Sequence, residues 1–361
     1  MGTFILVPLK TKDMRYKLFG RSGLRVSELS LGTMTFGTDW GWGADWETSK
    51  AIFEAYAKAG GNFIDTANRY TEGTSERYVG ELTAADRDHF VLATKYTLFD
   101  RQDDPNFSGN HRKNLMRSVH GSLKRLNTDH IDLLWLHAWD FTTRVDEIMR
   151  GLDDLVRMGK VHYIGISDIP AWIVAQANTL AELRGWAAFA GLQVEYSLIE
   201  RSPERELIPM ARAFDLALTP WAPLAGGALT GKYLKDSGED KRLKEDSARL
   251  NERSTRIARE VVRIAEEMGQ SPAQVAVNWT RQQDFLSIPI VGARKLSQIE
   301  DSLKCLDFEI PTEMMEQLDK VSAVEMGFPH DFLSGDGVRG VIYGGTWEKI
   351  DFRNKEGSKN N

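Results

Sequence analysis

The 361-residue chain is 42% hydrophobic and 27% charged, with a formal net charge of -6 at pH 7. That composition supports a large core, built as one α/β barrel or as two smaller domains, and provides no long basic block to attract nucleic acid. The single cysteine, Cys305, excludes an internal disulfide and suits a reducing cytoplasm, and no apolar run approaches the roughly 18 residues of a membrane span.

Residues 1–13 read as an N-terminal extension, since Met14 is an equally good beginning. Tyr16-Lys17-Leu18 and Arg25-Val26-Ser27 flank Gly20-Arg21-Ser22-Gly23, the pattern of a β-hairpin that closes one end of the fold. From Leu29 onward, apolar β-like runs alternate with amphipathic stretches. Strands are predicted near 29–33, 61–65, 90–95, 131–137, 161–166, 191–196, 216–221 and 286–291. Eight strands separated by helices satisfy the requirement of a (β/α)8 barrel, an α/β TIM barrel with extra helices. Two of the predicted helices span 49–59, with Ile52, Phe53, Tyr56 and Ala59 on one face, and 146–158, with Gly159 as a stop. Residues 231–268 form a charged insert, read as a surface loop leading into an extra helix. The barrel domain spans 14–323. Beyond it, the tail of residues 324–361 is rich in Gly, Phe, Tyr and Trp without helical periodicity.

Three strands deliver polar residues to what would be one rim. The run at 62–64 leads into Asp65 with Tyr70 soon after, the run at 90–94 into Lys95, and the run at 131–136 into His137. In parallel strands these groups all reach the carboxyl-terminal rim, where such barrels place their chemistry. An ammonium at ~4 Å from a phenol, at an effective dielectric of ~20, is worth ~4 kcal/mol, so Lys95 is expected to pull the Tyr70 hydroxyl toward phenolate by roughly three pKa units. Asp65 would keep Lys95 charged, and His137 would hydrogen-bond an oxygen that gathers negative charge. Taken singly, each residue is more ordinarily a cap, a boundary aromatic or a satisfied polar group. Their joint arrival at corresponding strand ends points to an acid-base site.

Asp65-Thr66-Ala67 with Tyr70, followed by Gly73-Thr74-Ser75-Glu76 and Gly80, resembles the first signature of the aldo-keto reductases. Lys95 and His137 match that family's remaining catalytic positions. Further likeness runs through Leu31-Gly32-Thr33-Met34, Gly165-Ile166-Ser167, Gln193-Val194-Glu195-Tyr196 and Ile290-Val291-Gly292-Ala293-Arg294, covering roughly 14–323. The branch suggested is the bacterial and fungal one related to potassium-channel β subunits. The resemblance implies the TIM barrel and NADPH-dependent reduction of an aldehyde or ketone, without a metal, in which Tyr70 protonates the carbonyl oxygen.

It also implies a cofactor site. Ser167, Asp168 and Gln193 match positions that hold the nicotinamide carboxamide, although Asp168 replaces the more usual Asn and cannot donate as an amide does. Trp221 would stack on the nicotinamide, while Ala222, Pro223, Leu224, Gly226, Gly231 and Lys232 would wrap the pyrophosphate. That stretch nearly spells a P-loop, but Tyr233 stands where a small hydroxyl residue is needed. Gly292, Ala293, Arg294 and Lys295 would lie near the adenosine 2′-phosphate, with Gln298, Asp301 and Ser302 near the adenosine; Arg294 is what favours NADPH over NADH.

For the substrate, Trp40, Trp42, Phe99 and Trp139 fall on rim loops and suit a bulky or cyclic carbonyl compound. A tail that folds over the barrel mouth would add to its recognition. Two other functions fit the same scaffold: a cofactor-sensing regulatory subunit with slow turnover, and a lyase using Lys95 as a Schiff-base nucleophile. His137 speaks against the first and Asp65, which keeps the amine charged, against the second.

Overall fold

The computed structural model describes residues 14–234, 243–244 and 246–351. The N-terminal extension, part of the charged insert and the end of the tail lie outside them. The hairpin forms where expected, pairing β1 (Tyr16–Leu18) with β2 (Arg25–Ser27) in antiparallel register. Eight parallel strands follow: β3 (Ser30–Gly32), β4 (Phe63–Asp65), β5 (Val91–Tyr96), β6 (Ile131–Leu136), β7 (Val161–Ser167), β8 (Phe189–Glu195), β9 (Ala217–Trp221) and β10 (Ile290–Gly292). They pair in the order β10-β3-β4-β5-β6-β7-β8-β9, and a bridge from Leu218 to Ser287 draws β9 toward the segment entering β10. The result is a nearly closed (β/α)8 barrel.

The helices on its outside begin with α1 (Trp46–Lys58), α2 (Thr74–Thr83), α3 (Arg112–Leu126), α4 (Val145–Arg157), α5 (Ala171–Arg184) and α6 (Leu207–Ala213). They continue with α7 (Glu252–Met268), α8 (Pro272–Arg281), α9 (Leu296–Leu303) and α10 (Thr312–Ser322). Local chemistry sets their ends. Asp45 caps α1 by accepting from the Thr48 amide, and capping boxes start α7 (Asn251 with Ser254) and α8 (Ser271 with Gln274). The helix at the end of the charged insert is therefore α7, as its pattern foretold. Among the described residues, no helix is long and apolar enough to cross a membrane.

Strand alternation divides the core in two. Outward residues such as Leu134, Leu136, Ile164 and Leu192 pack under the helices, whereas Phe63, Val91, Ala93, Leu133 and Trp135 point into the barrel with Phe19 from the hairpin turn. Phe19 is completely buried, edge-on to Phe63 at 5.7 Å and to Trp135 at 6.1 Å. Two glycines make room for these rings: a Cβ on Gly165 would lie 2.4 Å from Trp135, and one on Gly191 2.4 Å from Phe19.

Two expectations change. The last barrel strand is Ile290–Gly292 and not the whole of 286–291, because Pro289 interrupts the apolar run: Ser287 bridges Leu218 before the proline, and β10 pairs with β3 after it. The tail, expected to lack helices, contains α11 (His330–Ser334) and α12 (Asp336–Tyr343). Both are short and expose their apolar residues, so there is no buried face to leave a periodic signature.

Candidate active site

Period-two alternation builds the upper layer of the barrel interior. Two residues beyond Phe63 stands Asp65, two beyond Ala93 stands Lys95, two beyond Trp135 stands His137, and two beyond Gly191 stands Gln193. The apolar filling therefore gives way to polar groups at the carboxyl-terminal ends of four strands. Tyr70 joins them from the turn after β4, where Thr71 and Glu72 adopt left-handed backbone at φ 45° and 55°.

Lys95 is the hub. Its Nζ donates to Asp65 Oδ2 at 2.5 Å, to the Thr66 carbonyl at 2.8 Å and to Tyr70 OH at 3.0 Å. Asp65 and Lys95 are both almost wholly buried, so their charges are worth far more to one another than in water. Burial alone would lower the lysine pKa, but Asp65 and Tyr70 outweigh it and the net shift is upward, leaving a firm ammonium. The second Asp65 oxygen, Oδ1, accepts from Gln193 Nε2 at 3.0 Å.

The expectation for Tyr70 is reversed. Burial of the phenol raises its pKa by more than the Lys95 charge lowers it, so the hydroxyl stays protonated. Desolvation of the phenol, which the neighbouring charges do not reveal, decides the direction. Its ring meets His137 edge-on at 6.0 Å. Burial first, and Lys95 second, push the His137 pKa down to about 3, so this imidazole is neutral at physiological pH. Its Nδ1 is buried without a hydrogen-bond partner.

The expected cofactor residues form two groups. On β7 and β9, Trp221 Nε1 donates to Asp168 Oδ1 at 3.2 Å; Asp168 has φ 44°, and burial raises its pKa. Ser167 Oγ is a buried hydroxyl without a partner of good geometry. A carboxamide fits these residues. Asp65 fixes the Gln193 amide with its donor inward and its oxygen available as an acceptor, the Ser167 hydroxyl can donate, and Asp168 accepts. Ala222, Pro223 and Leu224 then lead into a tight turn, Ala225–Thr230, in which Gly226 and Gly227 have φ 70° and 93°. The turn is no P-loop, for no helix follows it directly. Lys232 folds back so that a Cβ on Gly227 would lie 3.1 Å from its Nζ, and Gly231 ends the turn at φ 82°.

After β10, Gly292 and Ala293 lead to Arg294, whose amide donates to Gln298 Oε1 at 2.8 Å, and to Lys295, the residue that caps α9. Asp301 is engaged elsewhere. Its oxygens accept from Ser271 Oγ at 2.7 Å and Gln274 Nε2 at 2.6 Å, tying α9 to the start of α8, and Ser302 is buried beneath.

Two of the expected rim aromatics, Trp40 and Phe99, are joined to the turn that carries Tyr70. Trp40 and Trp42 lie 5.7 Å apart, and Trp40 Nε1 donates to Glu72 Oε1 at 3.1 Å. Glu72 also pairs with Arg69, whose guanidinium sits 4.4 Å above the Phe99 ring. On the other side, the Trp139 amide donates to the Asp168 carbonyl at 3.3 Å, and the indole approaches the exposed Phe141 at 6.5 Å. Phe141 was not anticipated, although its place beside Trp139 was a signal. Nor was Arg249, which bonds Glu195 at the end of β8 at 2.5 Å and lies over Trp221 at 5.8 Å. Its partners are 28 and more residues away, beyond the reach of pattern reading.

A protonated phenol held by a buried, carboxylate-anchored ammonium beside a neutral imidazole is a site for moving a proton to or from a polarised oxygen. The aldo/keto reductase family model matches residues 28–323, and the chain belongs to that family. It is 36% identical over 326 residues to a norsolorinic acid reductase of Aspergillus flavus, with 88% of this chain and 83% of that protein covered. It is also 37% identical over 340 residues to an aryl-alcohol dehydrogenase [NADP(+)] of Phanerodontia chrysosporium, covering 87% of each chain. An aryl-alcohol dehydrogenase of Pestalotiopsis microspora shares 36% identity over 347 residues, with 93% and 89% covered. The chain is thus an oxidoreductase whose general chemistry is carbonyl reduction.

Proposed function

We propose that the chain reduces an aromatic or polycyclic aldehyde or ketone to the alcohol with NADPH, Tyr70 being the proton donor. The observation that carries this reading is the 3.0 Å contact between Lys95 Nζ and the Tyr70 hydroxyl. Nicotinamide, when bound, supplies the hydride that adds to the carbonyl carbon. Tyr70 gives its proton to the carbonyl oxygen, and Lys95, held by Asp65, stabilises the phenolate left behind. Neutral His137 orients the same oxygen by a hydrogen bond, and its low pKa keeps a second positive charge away from Lys95. Ser167, Asp168 and Gln193 would hold the carboxamide, Trp221 the nicotinamide face and Lys232 the pyrophosphate. Arg294 and Lys295, exposed or half-exposed beside the start of α9, would favour the 2′-phosphate of NADPH.

The substrate class rests on Trp40, Trp42 and Phe99, rings joined to the turn that carries Tyr70, with Phe141 exposed on the loop after β6 and Trp139 packed partly against the outer core, and on relatives named for norsolorinic acid and aryl alcohols. A panel of aryl, polycyclic and aliphatic carbonyl compounds, followed by oxidation of NADPH and NADH, tests it. Aryl substrates are expected to lead in kcat/KM. An equal response to short aliphatic aldehydes would remove the aromatic assignment, and no turnover of any carbonyl would favour the regulatory-subunit alternative. Borohydride trapping of a carbonyl on Lys95 would instead support the lyase reading.

A further inference from the structure

At the amino-terminal rim of the barrel, opposite the catalytic groups, His130, Asp132 and His162 bring three donor atoms within 4.8 Å of one another. Their placement follows from register. His130 immediately precedes β6, and Ile131 and Leu133 pair with Val161 and Tyr163, so Asp132 and His162 are neighbours on adjacent strands. Both alternate with residues of the barrel interior and therefore face outward. From these residues we infer a binding site for a first-row divalent ion of zinc's class, ligated by His130 Nε2, His162 Nδ1 and Asp132 Oδ1.

Three features of the cluster prepare it. First, Asp132 uses only one oxygen within the protein: Oδ2 accepts from Arg87 Nη2 at 2.7 Å and from the Leu92 amide at 2.9 Å. Oδ1 faces His130 Nε2 at 3.8 Å and His162 Nδ1 at 3.7 Å. Both separations are too long for hydrogen bonds, and that between His130 and Asp132 suits two ligands each about 2.0–2.2 Å from a common ion, at an angle of roughly 120–130°. Second, Asp129 Oδ1 lies 2.7 Å from His130 Nδ1. A proton on that nitrogen leaves the Nε2 lone pair directed at Asp132, the carboxylate-histidine arrangement that commonly supports a metal ligand. Third, the ligand set of two imidazoles and one carboxylate is borderline in character and suits Zn²⁺ or Co²⁺ better than Ca²⁺ or Mg²⁺.

One movement is required. The two imidazoles are stacked at 4.5 Å with 22° between their planes, whereas a metal lies close to the plane of each imidazole that binds it. The half-exposed His162 must swing out of the stack, while His130 and Asp132 remain in place. Arg87 beside Asp132, and Lys160, which donates to the Asp129 carbonyl, moderate the affinity by their charge. The bound ion would clamp β6 to β7 and, through Leu92 and Arg87, engage β5 from the rim away from the chemistry.

The test titrates the full-length, tag-free, chelator-stripped protein with Co²⁺ and Zn²⁺. One equivalent of Co²⁺ is expected to bind, to give a visible absorption band that Zn²⁺ abolishes, and to raise the unfolding temperature. His130→Ala and His162→Ala should each weaken binding by about tenfold or more, and Asp129→Asn by roughly tenfold, the scale of lost support to a ligand. Asp129 is exposed, so its variant tests the site even where a histidine variant folds poorly. Absence of a Co²⁺ band in the folded protein overturns the inference and leaves a stacked histidine pair. Unchanged binding in a folded His130→Ala/His162→Ala variant, or in Asp129→Asn, overturns it too.

Discussion

The two rims of the barrel treat their interior differently. At the hairpin end, Phe19 fills the bore against Phe63 and Trp135, and the packing is apolar save for the unpartnered indole nitrogen of Trp135. At the other end a buried ion pair occupies the same bore, while His137 Nδ1 and Ser167 Oγ remain without partners inside the protein. Backbone strain follows the same division. Among the described residues, Thr71, Glu72, Thr97, Asp103, Phe141, Asp168, Ala222 and Ala225 have positive φ on segments that follow strand ends, against Asn127 and Asp215 on segments that lead into strands. One rim is arranged for cohesion; the other stores polar and conformational cost that a bound molecule would relieve.

The comparison breaks most directly at Tyr70. Tyr70→Phe is expected to lower kcat for carbonyl reduction by roughly 10³-fold or more, with NADPH affinity and thermal stability nearly unchanged; Lys95→Met should lose as much turnover and also stability, because it leaves the Asp65 carboxylate buried without its cation. Steady-state kinetics beside a thermal melt would check this, and full turnover by folded Tyr70→Phe would defeat the assignment. Phe19→Ala should do the reverse, costing about 3–5 kcal/mol of stability in a denaturant titration with little change in KM. A large KM change in a folded Phe19→Ala protein would show that the rims are not separable.

Smaller effects sharpen the contrast. Arg294→Ala should weaken NADPH binding by about 1.5–3 kcal/mol and NADH much less, as read by fluorescence titration of both coenzymes. Equal losses would place Arg294 away from the 2′-phosphate. Asp168 offers a pH test. Its pKa is raised in the folded protein, so the folded state prefers the protonated carboxyl; stability from this group is present in acid and lost as pH rises through the folded pKa. Asp168→Asn should therefore stabilise the protein at neutral pH, an advantage that shrinks as pH falls through the raised folded pKa toward the ordinary aspartate value of 3.8 and is level below it. A constant difference between pH 3 and 8 would refute it. The same variant is expected to tighten both coenzymes modestly if a missing donor weakens the carboxamide clamp.

The smallest expected effect belongs to the tail. It docks through the Glu325 carbonyl on Arg205 and through His330 on Glu206, beside the segment that enters α6, while Phe328 and Phe332 remain exposed. Truncation after Ala323 should raise KM for a bulky substrate severalfold without altering NADPH affinity. Identical kinetics for large and small carbonyl compounds would eliminate a role in substrate recognition.

Much of this was legible because barrel strands are buried on both faces and appear as apolar runs ending in Asp65, Lys95 and His137. Those strand ends alone put the polar groups at the carboxyl-terminal rim, while the alternation that turns them into the bore is visible only in the fold. What escaped was set by distant partners or by competing terms. Pro289 split one apolar run between two strand neighbours, and the exposed tail helices left no periodic core face. Arg249 meets Glu195 across 54 residues of chain. Tyr70 shows the second kind of failure: the direction of its shift depends on burial, which a list of neighbouring charges does not contain.

The carboxylate of Asp65 divides its two oxygens between Lys95 and Gln193. On the proposed reading, one oxygen secures the proton donor and the other presets the amide that receives the coenzyme. The two reactants of the catalytic step are then surveyed from a single benchmark, so that their relative alignment survives small shifts of either strand. This common reference also limits change. Coenzyme choice has little freedom at the nicotinamide end without disturbing proton transfer, and its natural place of variation is the far end, around Arg294.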